Sequence, residues 1–300
     1  MQKVQTGKVL EFYSDSCLVQ MNGELFNMRP MKKMPLCVGD NVSIKMESNE
    51  YLINEITKRK SKLRKYKGGK EKVIASNLDY LGIIIACKPE LITGFIEKWI
   101  IISRYSNIEP FLVLNKIDME IPKDVLETVK IYKSIGIKCF EVSAKNNIGL
   151  DALINYITQS MSIFVGQSGV GKSTLTGKLI NQDLKTKMLS KGQGQHTTST
   201  SKLYQVVNNE NTYVIDSPGV RDLEIDNIPK NVIEESFVEI FSCKKLCKFT
   251  NCSHIKEEGC EVLKMLSENK ISQQRYDTFI EFMSSCLLYT SDAADDTDSV

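Results

Sequence analysis

The stretch "FVGQSGVGKST", residues 164–174, decides the fold. Gly166, Gly171, Lys172 and Ser173 stand at the spacing of a phosphate loop, after the apolar "SIFV" and before the helix-forming "STLTGKLIN". Glycines let backbone amides turn inward around phosphates, the lysine neutralises terminal phosphate charge, and the serine hydroxyl suits magnesium. The whole run Gly166, Gln167, Ser168, Gly169, Val170, Gly171, Lys172, Ser173 and Thr174 is therefore a candidate nucleotide contact. Such a loop usually opens its domain, yet more than half of the 300 residues precede it.

Upstream, "NKID" at 115–118 ends the apolar run "FLVL". The Asp118 carboxylate suits the paired donors of the guanine edge and leaves adenine without a match. Asn115 is placed to brace the loop, the Lys116 stem to cover the base plane, and Ile117 completes the run. "SAK", Ser143, Ala144 and Lys145, is expected to give backbone and packing support around the base. Downstream, "GQGQHTTST" offers Thr197 or Thr198 to magnesium, and "DSPG" offers Asp216 to magnesium through water and the Gly219 amide to the terminal phosphate. The position after Gly219, where many GTPases carry a water-orienting glutamine, is Val220, so His196 is the candidate catalytic residue. Its competing role is a loop histidine that contacts RNA or solvent. The motif order is circularly permuted, which leads the second switch straight into the C-terminal region and predicts mechanical coupling between them.

The fold class expected is multidomain. Five short strand-like runs between residues 7 and 57 suggest a small β-barrel, an OB-fold or an SH3-like barrel. Apolar strands alternating with helical stretches then predict a largely parallel, doubly wound α/β sheet, with each motif at a strand end. From about 226 the chain reads as charged and helical. The domains expected are 1–68 for the barrel with a basic linker, 69–225 for the GTPase domain and 226–285 for a zinc-binding domain. Residues 286–296 resemble a translated sequencing-library adapter, so 286–300 is expected to be an artefact tail. The basic run "KRKSKLRKYKGGKEK", 58–72, is a solvated linker or a nucleic-acid contact. Net charge is only +2, no apolar run is long enough to cross a bilayer, and the start lacks a secretory pattern, so a cytoplasmic protein with no membrane partner is expected.

Of nine cysteines, Cys243, Cys247, Cys252 and Cys260 crowd together around His254, one of only two histidines. Two ligand sets fit a tetrahedral zinc: Cys247, Cys252, His254 and Cys260, or the same with Cys243 in place of His254. Four protein ligands leave no open position, so the role expected is structural.

Together these residues resemble the permuted bacterial GTPases of small ribosomal subunit biogenesis called RsgA. The resemblance runs from about residue 7 to 283 and includes "IASNLDYLGII", "GQHTT", "VIDSPGVRDL" and the cysteine-histidine spacing. It implies an N-terminal OB-fold, a permuted GTPase domain and a C-terminal zinc domain. It also implies GTP and GDP with Mg2+, one structural Zn2+ per chain, contact with rRNA, and hydrolysis stimulated by the small ribosomal subunit during late maturation. Its zinc pattern selects His254 over Cys243, and a monomer is expected. The chain departs from the family at Ser199, where a third threonine is usual, so Thr197 and Thr198 both stand as candidates. The competing functional class is an RNA scaffold that holds GTP with negligible hydrolysis.

Overall fold

The computed structural model describes residues 5–180 except 14, 68 and 69, and residues 201–291 except 210, 218, 219, 221 and 222; side chains of Lys67 and of 285–291 are outside the description. The chain begins with β1 (Gln5–Phe12), β2 (Cys17–Met21), β3 (Glu24–Pro30), β4 (Asn41–Glu47) and β5 (Glu50–Ile56). Alternation drives it: Cys17, Val19 and Met21 point inward while Leu18 and Gln20 are half exposed. The order β1-β2-β3-β5-β4 closes when β4 pairs back with β1, and β3 runs parallel to β5. This is the Greek-key barrel of the OB type, which decides between the two barrels the sequence allowed.

The basic run is a ribbon rather than a linker. Strands β6 (Lys62–Lys67) and β7 (Lys70–Ser76) pair antiparallel. Leu63 and Ala75 face the main core while lysines line the outside, which masks the strand pattern in a lysine-rich sequence. A buried carboxylate joins ribbon to barrel. Asp40 accepts from Cys37 N at 2.9 Å, Ser76 Oγ at 2.6 Å, and Arg59 Nε and Nη2 at 2.6 and 2.7 Å. With every side of the carboxylate bonded, the charge is held without a large desolvation cost. Gly39 beside it has φ +88, and a Cβ there would lie 2.2 Å from Ser76 O, so only glycine fits.

The central layer is β8 (Tyr80–Ala86), α1 (Phe95–Ser106), β9 (Glu109–Asn115), α2 (Lys123–Ser134), β10 (Lys138–Val142), α3 (Leu150–Ile157), β11 (Met161–Gly166), α4 (Lys172–Leu179), β12 (Lys202–Gln205) and β13 (Tyr213–Asp216). β10, β9, β8, β11 and β13 are parallel neighbours in that order, β12 is antiparallel to β13, and β12 pairs with β1, so the sheet continues into the barrel. Helices on both faces bury the parallel strands, which is why β8 reads "YLGIIIA" without alternation. From β8 the chain winds outward to β9 and β10, and from β11 in the other direction. The switch point between β8 and β11 is where such sheets open a ligand crevice.

The C-terminal part holds α5 (Lys230–Ser236), α6 (Val238–Lys244), α7 (Glu261–Ser267) and α8 (Gln273–Ser291). α8 continues past Cys286, where the sequence pattern breaks, because "SSCLLYTS" has no glycine or proline to stop it. Arg275 of α8, 2% exposed, fastens this part to the helices of the central layer. Its guanidinium pairs with Glu239 of α6 and lies 3.5 Å from Glu97 of α1, whose carboxylate accepts from Tyr132 of α2. Burial opposes the Arg275 charge, but Glu239 outweighs it and holds the pKa above the ordinary value. Among the described residues no helix is long and apolar enough to cross a membrane.

Candidate nucleotide site and cysteine cluster

The loop after β11 turns through Gly169 and Gly171, with φ of +86 and +100. At Gly171 a Cβ would lie 2.3 Å from Asn115 Nδ2, so the glycine permits both the turn and the neighbouring motif's approach. Lys172 opens α4, and its ammonium donates to Gly166 O at 2.6 Å and Gln167 O at 2.7 Å, which draws it back across the loop. Val170 is buried and anchors the loop to the core, while Ser168, Gly169 and Ser173 are exposed and Thr174 is half-buried.

Asn115, at the end of β9 and 3% exposed, connects three motifs with one carboxamide. Its Nδ2 donates to Val170 O at 2.9 Å, and its Oδ1 accepts from Ala144 N at 3.0 Å. Lys116 has φ +66 and donates through Nζ to Lys88 O at 2.8 Å, while Ile117 N donates to Val142 O at 3.2 Å. Asp118 is exposed, and its Oδ1 accepts from Ser143 Oγ at 2.5 Å. That hydroxyl, with smaller help from the exposed Lys145 and from Lys116, holds the Asp118 carboxyl below its ordinary pKa, so it is ionised at neutral pH. Besides the backbone and packing support expected of Ser143, its hydroxyl bonds Asp118, a pairing across 25 residues that no local pattern signals. Gln167 also turns outward, to the loop after β8.

Asp216 ends β13 and is exposed toward the same rim. The next residue, Ser217, shares a 2.6 Å hydroxyl contact with Ser201 at the start of the β12 hairpin. Val220 is buried with Leu223 and Ile228, so an apolar side chain fills the place of the usual glutamine. His196, Thr197, Thr198 and Gly219 lie outside the described residues.

Between α6 and α7, Cys247, Cys252, His254 and Cys260 bring their ligand atoms within 4.8 Å of one another; Cys243 is not in the group. His254 Nδ1 lies 3.4 Å from Cys260 Sγ and 3.7 Å from Cys247 Sγ, and these sulfurs are 4.0 Å apart. Tetrahedral zinc, at about 2.3 Å from sulfur and about 2.0 Å from nitrogen, sets ligand atoms about 3.5–3.8 Å apart, so the cluster fits one such ion. His254 is 2% exposed with φ +62, its carbonyl accepts from Tyr276 Oη at 2.6 Å, and burial lowers its pKa toward the neutral ring a ligand needs.

A family model described as RsgA GTPase matches residues 56–226. The chain is 35% identical over 253 residues to the small ribosomal subunit biogenesis GTPase RsgA of Saccharophagus degradans, covering 80% of this chain and 73% of that one. It is 34% identical over 273 residues to the protein of the same name from Flavobacterium psychrophilum, covering 86% and 83%. Among solved structures it is similar to YjeQ from Thermotoga maritima, with TM-score 0.75, 25% identity, and 95% and 99% of the two chains covered. It shares its fold with YloQ, described as a circularly permuted GTPase, with TM-score 0.73, 22% identity and 96% of each chain covered. The permuted motif order, the sheet order and these matches agree: the chain belongs to the RsgA GTPase family and is a GTP hydrolase.

Proposed function

We propose that the chain binds GTP at the switch point between β8 and β11 and hydrolyses it to GDP and phosphate when it meets the small ribosomal subunit, late in that subunit's maturation. The observation that carries this reading is the Asn115 carboxamide, which holds the phosphate loop, the "NKID" turn and the "SAK" turn in one frame. Within that frame Asp118, kept ionised by Ser143, accepts both donors of the guanine edge. The Lys116 stem covers the base plane, and Ile117, Ala144 and Lys145 support the turns around it. The amides of Gly166 to Gly171 and the Lys172 ammonium take the phosphates. Magnesium, when bound, would offset phosphate charge, and Ser173, one of Thr197 and Thr198, and Asp216 through water are the residues to hold it, with Thr174 a nucleotide contact beside them. The Gly219 amide follows the terminal phosphate, and because Val220 has no hydrogen-bonding side chain, His196 is assigned to orient or deprotonate the attacking water.

Zinc on Cys247, Cys252, His254 and Cys260 would close the C-terminal segment as a structural ion, one per chain. The lysine-rich ribbon, with Lys70 and Lys72 exposed, supplies positive surface of the kind rRNA contact needs, and the relatives' names point to the small ribosomal subunit. A cytoplasmic monomer fits this role.

The base assignment is tested by Asp118→Asn. Its affinity for GTP should fall by about a hundredfold or more while xanthosine triphosphate binding improves, because the amide now offers a donor to the 2-oxo group. Equal affinity of the unaltered protein for GTP and ATP would contradict the reading. A His196→Ala variant that binds GTP yet keeps full subunit-stimulated turnover would remove the catalytic role.

A further inference from the structure

The loop between β8 and α1 is touched from two sides by the nucleotide motifs. Lys116 Nζ donates to Lys88 O at 2.8 Å from the base-reading side. From the phosphate side, Gln167 Nε2 donates to Glu90 O at 3.0 Å, and Gln167 Oε1 accepts from Ile92 N at 3.4 Å. Both polar ends of the Gln167 carboxamide are thus engaged by backbone two residues apart, as a neighbouring strand would engage it. The loop is backed at its far end. Gly94 is buried with φ +74, and a Cβ there would lie 3.1 Å from Phe282 Cζ and 3.4 Å from Thr278 Cγ2, both on α8.

We propose that Gln167 is a positioning residue for nucleotide retention: its carboxamide clasps the 88–92 loop to the phosphate loop, and this sets the distance between the phosphate-holding and base-reading halves of the site. The proposal rests on the GTP-site reading above. A nucleoside diphosphate grips both halves at once, and each half is a turn with residues at positive φ whose drift lowers the gain from the second grip. Lys116 reaches the loop from one end and Gln167 from the other, so the loop works as a strap across the crevice. The Gln167 side chain acts through this strap, apart from the phosphate contact of its backbone amide, because both ends of the carboxamide are already directed at Glu90 and Ile92.

The test is the dissociation rate of fluorescent mant-GDP from the full chain, with Gln167→Ala, Ile92→Pro and the double variant. Gln167→Ala should release mant-GDP about tenfold faster, the scale of one or two lost hydrogen bonds. It should also raise KM for GTP by a larger factor than it changes kcat, and leave the nucleotide-free melting temperature unchanged. Ile92→Pro removes the amide donor on the other side of the clasp, so the double variant should be no faster than the faster single. Gln167→Glu sets a second oxygen against Glu90 O and should release at least as fast as Gln167→Ala, which keeps the test sharp should the proline variant melt early. Unchanged release from Gln167→Ala, a lowered melting temperature as its only effect, or single effects that multiply in the double variant would each overturn the clasp. Failure of the unaltered protein to retain mant-GDP would instead bring down the GTP-site reading and the clasp with it.

Discussion

The nucleotide loops and the cysteine cluster are built in opposite ways. The first collects side chains from residue 115 to residue 216, each set in place by the end of a buried strand. The second takes every donor from the fourteen residues Cys247 to Cys260, which lie between two seven-residue helices and include no strand. A site of the first kind is shaped by the sheet before any ligand arrives, because Asn115 is already bonded to both Ala144 and Val170. A site of the second kind has little apolar surface to hold it, with Leu246, Phe249 and Ile255 facing solvent, so its shape depends on what the four donors bind.

Metal removal should therefore separate the two regions most strongly. A structural zinc contributes about 10–16 kcal/mol of binding free energy. Treatment with a strong chelator should release one zinc per chain and expose residues 243–267 to protease, while mant-GDP still binds. Persistent protection of that segment without zinc would break the comparison. On the other side, Asn115→Ala strands Val170 O and Ala144 N, at about 1–3 kcal/mol for each group left unpaired. GDP affinity should fall roughly a hundredfold with zinc content unchanged, as titration and metal analysis would read. A fall below threefold would mean that the three motifs are held by something else.

The smallest effect concerns pH. Asp118 has a depressed pKa in the folded protein, chiefly through the Ser143 hydroxyl, so the ionised form persists as pH falls below the ordinary carboxylate range. GDP binding should follow it, being full at neutral pH and lost only when Asp118 takes up a proton. Ser143→Ala returns the pKa upward, and the acid limb of the binding curve should move to higher pH. An acid limb at the same pH in both proteins would show that Ser143 does not set this charge.

These contrasts explain how much the sequence disclosed. The phosphate loop, "NKID" and "SAK" were legible because each motif is contiguous and sits where an apolar run stops, and a parallel sheet delivers all such ends to one rim. The choice of His254 over Cys243 came from the family resemblance, since local spacing allowed both; geometry shows the reason in His254 Nδ1, which faces two of the sulfurs. What stayed hidden acts between motifs. Ser143 meets Asp118, Gln167 meets Glu90, and Arg275 meets Glu239 and Glu97, pairs separated by 25, 77, 36 and 178 positions along the chain. No periodicity encodes such pairs. The ribbon at 62–76 was missed for another reason, because lysine-rich strands with few inward apolar residues resemble a solvated run.

The most direct test of the account is GTP hydrolysis by the purified chain, with and without purified small ribosomal subunits, alongside Lys172→Ala. With no glutamine after the second-switch glycine, turnover should be slow alone, rise at least tenfold on adding subunits, and vanish in the variant. Turnover that is equally fast without subunits, or that survives in Lys172→Ala, would contradict it.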